Sequence, residues 1–240
     1  MIQEKQAGNI LVFILIAILL IGLLTISLTR SNNSTNETGN YELQQITISN
    51  FMRYAKNLEI GIQMLKSRGC GENEISFDNP VEDGYENLEA PDDFSCHIFE
   101  AEGAGLEWQE PDRKISRLPY AIYGDHVIHG IGSTSEPFVN ANADLILVMR
   151  DIPAQLCEAI NLHLDNGLTS VPIDRGDSIS DGTERKFIGE FTADEDISGD
   201  QGTDICSEDV DTALCGITSG CFKEGAGEEF NVFYSVLYAR

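Results

Sequence analysis

Basic residues are scarce in this chain: 15 Lys and Arg stand against 40 Asp and Glu, a formal net charge of −25. So acidic a surface is repelled by nucleic-acid phosphates and by anionic lipid headgroups unless cations intervene, which argues against nucleic acid as a partner. None of the six cysteines forms a Cys-x-x-Cys pair, and His97, His126, His129 and His163 have no finger-like spacing to them, which disfavours a zinc site. Catalytic signatures are missing too. Gly130-Ile131-Gly132-Ser133-Thr134 is not a Gly-x-Ser-x-Gly elbow, and there is neither a His-Glu-x-x-His nor a Gly-Lys-Ser/Thr phosphate loop. His126 and His129, three apart on an expected strand, point to opposite faces and are poorly placed to share a metal. The expectation is a protein that is not an enzyme; an exported hydrolase with catalytic groups converging from distant sequence is the enzymatic alternative.

What the chain does have is an uncharged run over residues 6–29, with the core Ile10-Leu11-Val12-Phe13-Ile14-Leu15-Ile16-Ala17-Ile18-Leu19-Leu20-Ile21-Gly22-Leu23-Leu24. At about 1.5 Å per residue it matches the roughly 30 Å hydrocarbon core as one helix. A cleavable signal has a shorter core, about 7–15 residues, and a small-residue exit. Here the exit reads Thr25-Ile26-Ser27-Leu28-Thr29-Arg30, so the segment is expected to be a retained anchor over 9–30 behind a head over 1–8. Lys5 and Arg30 leave the positive-inside balance close to a tie.

Residues 31–240 hold 39 of the 40 acids and 13 of the 15 bases, a net charge of −26, together with all six cysteines. An even cysteine count behind an export signal favours up to three disulfides, with 15 possible connectivities. The favoured set joins Cys70 with Cys96 around one acidic loop and Cys206 with Cys215 around another, leaving Cys157 with Cys221. The acidic domain is expected to face the cell exterior.

Residues 31–40 are polar and rich in helix-weakening types, either a linker or the weakened middle of one long helix, with acceptor triplets at Asn32, Asn33 and Asn36. Over 41–68, Leu43, Ile46, Phe51, Tyr54, Ala55, Leu58, Ile62 and Leu65 recur mostly at three- and four-residue steps, an amphipathic helix ending in Lys66, Arg68 and the stop residue Gly69. The rest, 69–240, reads as short strands and acidic loops. Brief strands are expected at 96–99 and 106–108, and a hairpin over 120–131 turning at Gly124-Asp125. A buried strand follows at 145–149, then a helix opened by Asp151 as capping carboxylate and Pro153, carrying Leu156, Cys157, Ile160 and Leu164 and ending at Asn166-Gly167. Two more strands fall at 187–191 and 230–238, the last apolar on both faces as a central strand is. Tyr85, Trp108, Tyr120 and Tyr123 could line a ligand surface or pack in the core, where aromatics interleaved with strands more often lie, and any adhesive surface would sit on the acidic loops near 72–93 and 174–211.

Gly8 directly before the apolar run, a helix continuing from the membrane into the exported part, and a disulfide-bearing β-rich head together resemble the type IV pilin superfamily, especially minor pilins and type II secretion pseudopilins. The resemblance implies an α+β fold with a long N-terminal α-helix, membrane-spanning and then amphipathic, under a pilin-like head. It implies prepilin peptidase cleavage between Gly8 and Asn9, packing with other pilin-like subunits, and residence in a bacterial inner membrane with the C-terminal domain in the periplasm, at the cell surface or in a filament. The glutamate usual at the fifth mature position is replaced by Phe13, as in some minor and tip subunits, and Asn9 stands where Phe or Met is usual. An unpaired Glu in lipid is costly, so its lack suits a tip or initiating position.

Asp194-Glu195-Asp196-Ile197-Ser198-Gly199-Asp200 reproduces the first half of a calcium loop, but its twelfth position is Ile205, which excludes a standard EF-hand. Asp194, Asp196, Ser198, Asp200 and Asp204 are the candidate ligands, with Glu208, Asp209 and Asp211 nearby, and calcium is the one cofactor considered. Some pseudopilin heads hold calcium in this region, as the resemblance implies. The expected function is a non-catalytic minor or tip subunit of a pilus-like filament or secretion pseudopilus. The alternative is a single-span anchored ectodomain that binds a ligand or calcium at the cell surface.

Overall fold

The structure is a computed structural model that describes the backbone of residues 7–113, 115–128, 130–132, 143–168, 170–174, 186–191, 204–205, 212–224 and 230–240; side chains of 7–11, 24, 26–44, 174, 204, 205 and 212 are outside that description. The chain divides into two units, Met1–Thr47 and Ile48–Arg240. Helix α1 is Ala7–Arg68, a range that takes in the polar residues 31–40.

In the first unit the apolar side chains described in a row are those of residues 12–23, about 18 Å of helix. Among the described residues no helix is long and apolar enough to cross a membrane. The membrane-spanning helix expected over 9–30 is therefore unsupported among the described residues.

The second unit is a mixed helix and sheet, an α+β arrangement with two disulfides. Ile48, Phe51, Tyr54, Ala55, Leu58, Ile62 and Leu65 are all at most 4% exposed, and their three- and four-residue spacing puts them on one side of α1. Burial of each large aliphatic or Phe side chain is worth about 1.5–3 kcal/mol. The helix stops as expected at Gly69, whose φ of 103° lets its N–H reach Lys66 O at 3.1 Å while Cys70 N–H reaches Leu65 O at 3.2 Å. That pair of bonds is a Schellman cap, which requires a left-handed residue at this position.

The strands are β1 (Ala121–Ile128), β2 (Asp144–Met149), β3 (Ile173–Asp174), β4 (Asp204–Ile205), β5 (Ser219–Glu224) and β6 (Asn231–Tyr238), with α2 (Ala154–Leu164) between β2 and β3. Their order is β3-β5-β6-β2-β1-β4. The β5, β6, β2 and β1 neighbours are antiparallel, and the two-residue strands β3 and β4 add parallel edges. One face of the sheet, with Ile122, Leu145, Leu147, Met149, Cys221, Phe233 and Leu237, packs in a common core with the α1 stripe and α2. Phe51 meets Phe233 edge-on at 5.0 Å. The other face, with Ala121, Tyr123, Ile146, Val148, Phe222, Val232 and Tyr234, is covered by Leu168, Leu214 and the partly buried Ile131 and Ile217. Double coverage accounts for the apolar residues on both sides of β6, which is central as expected.

The expected Tyr120–Ile131 hairpin is instead the single strand β1, buried along its whole length. Gly124-Asp125 marks a bulge, where the β1–β2 register shifts between Tyr123 and His126. Glycine is needed there for close approach: a Cβ on Gly124 would overlap the Phe187 ring and lie 2.9 Å from Glu190 O. The strand expected at 187–191 does not form: a single bridge, Tyr123 to Lys186, precedes it, Phe187 N–H reaches Ile122 O at 2.9 Å, and the chain bends at Gly189, at φ 90°. Likewise 96–99 contributes only the Ser76–His97 bridge, and 106–108 forms no strand. Helix α2 starts at Ala154 with Pro153 at its N-cap and no side-chain cap; Asp151 sits at φ 57° three residues earlier and does not cap it. Asp165 ends it at φ 48°, one residue before Asn166.

Both fully described disulfides, Cys70–Cys96 and Cys157–Cys221, match the favoured pairing. For the third, Cys206 lies outside the described residues. Asn161, 1% exposed, donates to Cys221 O at 2.7 Å and accepts from Cys221 N–H at 2.8 Å, so disulfide and amide clamp α2 to β5 at one point.

Asp144, 1% exposed, accepts from the backbone N–H of Arg240 at 3.0 Å and of Ile128 at 3.2 Å. Burial pushes its carboxyl from 3.8 up to about 6, outweighing those two bonds and the Arg240 charge. The folded chain then holds this proton more tightly than the unfolded chain, so the stability it contributes is lost as pH rises from about 4 to about 6. The melting temperature of Asp144→Asn minus that of the parent is expected to rise across this window and level off above it; a pH-independent difference would contradict the assignment. For Gly124→Ala, urea unfolding is expected to show a loss of about 1–3 kcal/mol from overpacking against Phe187 and Glu190.

Candidate contact surface

Residues 69–112 contain 14 acids and no Lys or Arg, so this stretch draws its counter-charges from elsewhere in the chain. Its first carboxylate, Glu72, accepts from Tyr238 OH at 2.6 Å and Arg240 Nε at 3.0 Å, with Lys66 Nζ at 3.3 Å. The Tyr238 bond, then Lys66 and Arg240, hold the Glu72 carboxyl below its ordinary value, and Glu72 in turn pushes the Tyr238 hydroxyl up. This cluster joins the end of α1 to the end of β6.

The loop beyond is shaped by buried amides. Asn79 Oδ1 accepts from the N–H of Val81 at 3.0 Å and Glu82 at 2.8 Å, an Asx turn. Asn87, 8% exposed, donates to the carbonyls of Asn73 and Ile75, both at 2.8 Å, and accepts from Glu89 N–H at 2.9 Å. Tyr85, fully buried, accepts from Ile122 N–H at 3.0 Å, and burial pushes its hydroxyl up. Lys186 closes the loop from about a hundred residues away. Its Nζ binds Glu82 Oε1 at 2.5 Å and Asp83 O at 2.6 Å, and lies 5.0 Å from the Tyr85 ring centre.

With Tyr85 and Asn87 held inward, the alternate residues Glu86, Leu88 and Glu89 face solvent, Leu88 at 87% exposure. Val81 and Phe94 are also exposed. The expected adhesive loop 72–93 is thus a fixed corner of mixed acidic and apolar character. Its partner region, 174–211, lies mostly outside the described residues.

Tyr85 and Tyr120 are buried in the core, Tyr120 against Tyr54, and the partly buried Trp108 packs on Tyr85 and Phe99 at its edge, which decides these aromatics for the core. Tyr123 belongs to the core of the other sheet face and stacks on His126. His126 is fully buried with Nδ1 2.8 Å from Asp125 Oδ1; His129 lies outside the described residues. The calcium candidates Asp194, Asp196, Ser198 and Asp200 lie outside the described residues, and only the backbone of Asp204, in β4, is described. Among the described residues no three His, Cys, Asp or Glu side chains converge to hold a metal. Gly8 and Asn9 fall in the first turn of α1. Sequence reading missed Asn87, Asn161 and Lys186, whose roles depend on partners 12 to 104 positions away.

No protein-family model, curated protein or solved structure matches the chain.

Lys186→Met is expected to speed amide hydrogen exchange at Glu82, Glu86 and Glu89 several-fold. The global melting temperature should fall only slightly, because the ion pair is partly exposed and worth at most about 1 kcal/mol. Unchanged exchange would show that the Asn87 bonds alone fix the corner.

Proposed function

We propose that this chain is a structural, non-catalytic subunit of a type IV pilus-like filament or secretion pseudopilus, in a minor or tip position. The observation that carries the reading is the exposed apolar surface of α1. Val12, Phe13, Ile14, Leu15, Ile16, Ile18, Leu19, Leu20, Ile21 and Leu23 are each 48–67% exposed, a coverage that runs round the helix rather than along one stripe. Soluble monomers rarely leave so large an apolar patch in water; it needs other helices or lipid around it. In the second unit, α1 residues pack instead on a disulfide-bonded sheet, so the helix has one apolar surface satisfied within the chain and another left for neighbours. In the proposed route prepilin peptidase cuts between Gly8 and Asn9, and residues 9–30 rest in the inner membrane before packing into the filament. Phe13 at the fifth mature position, 67% exposed, offers bulk and no charge, which suits a subunit that need not neutralise a neighbour's amine.

The test is the intact mass and amino-terminal sequence of the protein recovered from its native membrane or filament fraction. The expected start is Asn9. A start at Met1 would favour an uncut anchored ectodomain, and one near Ser31 a removed signal peptide; either overturns the proposal.

A further inference from the structure

A cavity of about 150 Å³ is lined by Glu82, Glu110, Pro111, Arg113, Ser116, Arg117, Leu118 and Pro119. It is well below the roughly 300–1,000 Å³ of small-molecule sites and matches a single side chain. Its charge is unusual for this protein. Arg113, Lys114 and Arg117 are three bases within five residues, immediately after the 14 acids of 69–112. Among the described cations, Lys56, Lys66, Lys186 and Arg240 are paired with carboxylates, while Arg53 bonds the Asn50 amide and Arg68 the Gly103 carbonyl. Arg113 and Arg117 are exposed and form no ion pair among the described residues. Of the carboxylates lining the cavity, Glu82 is already paired with Lys186.

The chain carries a matching knob. Glu86 and Glu89 flank Leu88 on the corner pinned by Tyr85 and Asn87, and Leu88 does not line its own chain's cavity. A corner fixed before contact loses little conformational entropy on docking. We propose that the Glu86-Asn87-Leu88-Glu89 corner of one copy docks into the Arg113/Arg117 cavity of a second copy of this chain. Leu88 enters between Pro111, Leu118 and Pro119, while Glu86 and Glu89 meet the two guanidiniums. Knob and socket are different residues, so the contact is heterologous and adds copies head to tail, the symmetry a filament uses. This deepens the subunit reading, which supplies the neighbouring copy.

The experiment measures association between two differently labelled samples of the full chain in detergent micelles at 0.1 M salt. Arg113→Glu with Arg117→Glu, and separately Glu86→Arg with Glu89→Arg, are each expected to weaken self-association about tenfold. Mixing the two variants sets the parental knob of the first against the parental socket of the second and the reversed knob of the second against the reversed socket of the first, so both mixed junctions are oppositely charged and association is expected to return to within a few-fold of the parent. Raising salt to 1 M, where screening shortens to about 3 Å, is expected to weaken the parent. Leu88→Ser, on a side chain too exposed to affect folding, gives a second reading that does not depend on the charge variants folding and should also weaken association. Parent-like association of Leu88→Ser or of the folded charge variants, or no recovery on mixing, overturns the proposal, as does a parent that does not associate. Amino-terminal processing is read separately, so either proposal can fail without the other.

Discussion

The packing of one helical stripe onto the middle of the sheet is the contact on which the rest of the second unit depends. Ile48, Phe51, Ala55, Leu58, Ile62 and Leu65 bury against β2 and β6, the two most interior strands, and every other part of the unit is arranged around that layer. Strands alone would expose this face, and a helix of this composition alone would expose the stripe; each supplies the other's apolar partner. Helix α2 completes the same layer, and its attachment is directional where α1's is diffuse. The Cys157–Cys221 bond and the paired Asn161 amide hold it to one residue of β5.

Shortage of positive charge shapes the periphery. With 40 acids and 15 bases, each well-placed cation serves more than one purpose. Lys66 and Arg240 share Glu72, and each also sits over a ring, Tyr238 and Phe191 respectively. Lys186 satisfies a carboxylate, a carbonyl and the face of Tyr85 at once. Such sharing concentrates order at a few points and leaves the intervening acids solvated. That is how a strongly acidic loop keeps a fixed shape instead of being driven apart by its own charge.

The exposed apolar surface of α1 and the acidic corner on the head together give the subunit reading its physical content. In the proposed assembly the first would supply a non-directional contact that favours any apolar surrounding, and the second one specific in charge and shape. Assemblies commonly divide the work in this way, with burial supplying affinity and charge supplying register.

The amphipathic helix expected over 41–68 was legible from Phe51 onward, although Ile46, counted in its stripe, is exposed; its Gly69 stop, two cysteine pairings, the β2 strand and the central last strand were legible too. These rest on local periodicity, apolar composition, cap chemistry and the bracketing of a loop by Cys70 and Cys96, with Cys157 and Cys221 as the pair left over. The reading of 120–131 failed because Gly124-Asp125 has turn composition, while the actual need for glycine comes from Phe187, 63 residues on. Residues 187–191 look like a strand by composition, but Gly189 fits closely against Asn87 and bends away. The cap on α2 was misplaced because a carboxylate near a proline is a frequent helix start, whereas here Asp151 takes a left-handed backbone. Strand β5 and the corner held by Asn87 and Lys186 had no local signal at all. The sequence by itself determined which segments carry an apolar face and where helices stop, because those depend on neighbours three or four residues apart. Only the tertiary structure decided which glycine is a turn and which a contact, which amide is buried, and which lysine closes the acidic loop, because each depends on a partner that the chain brings near only on folding.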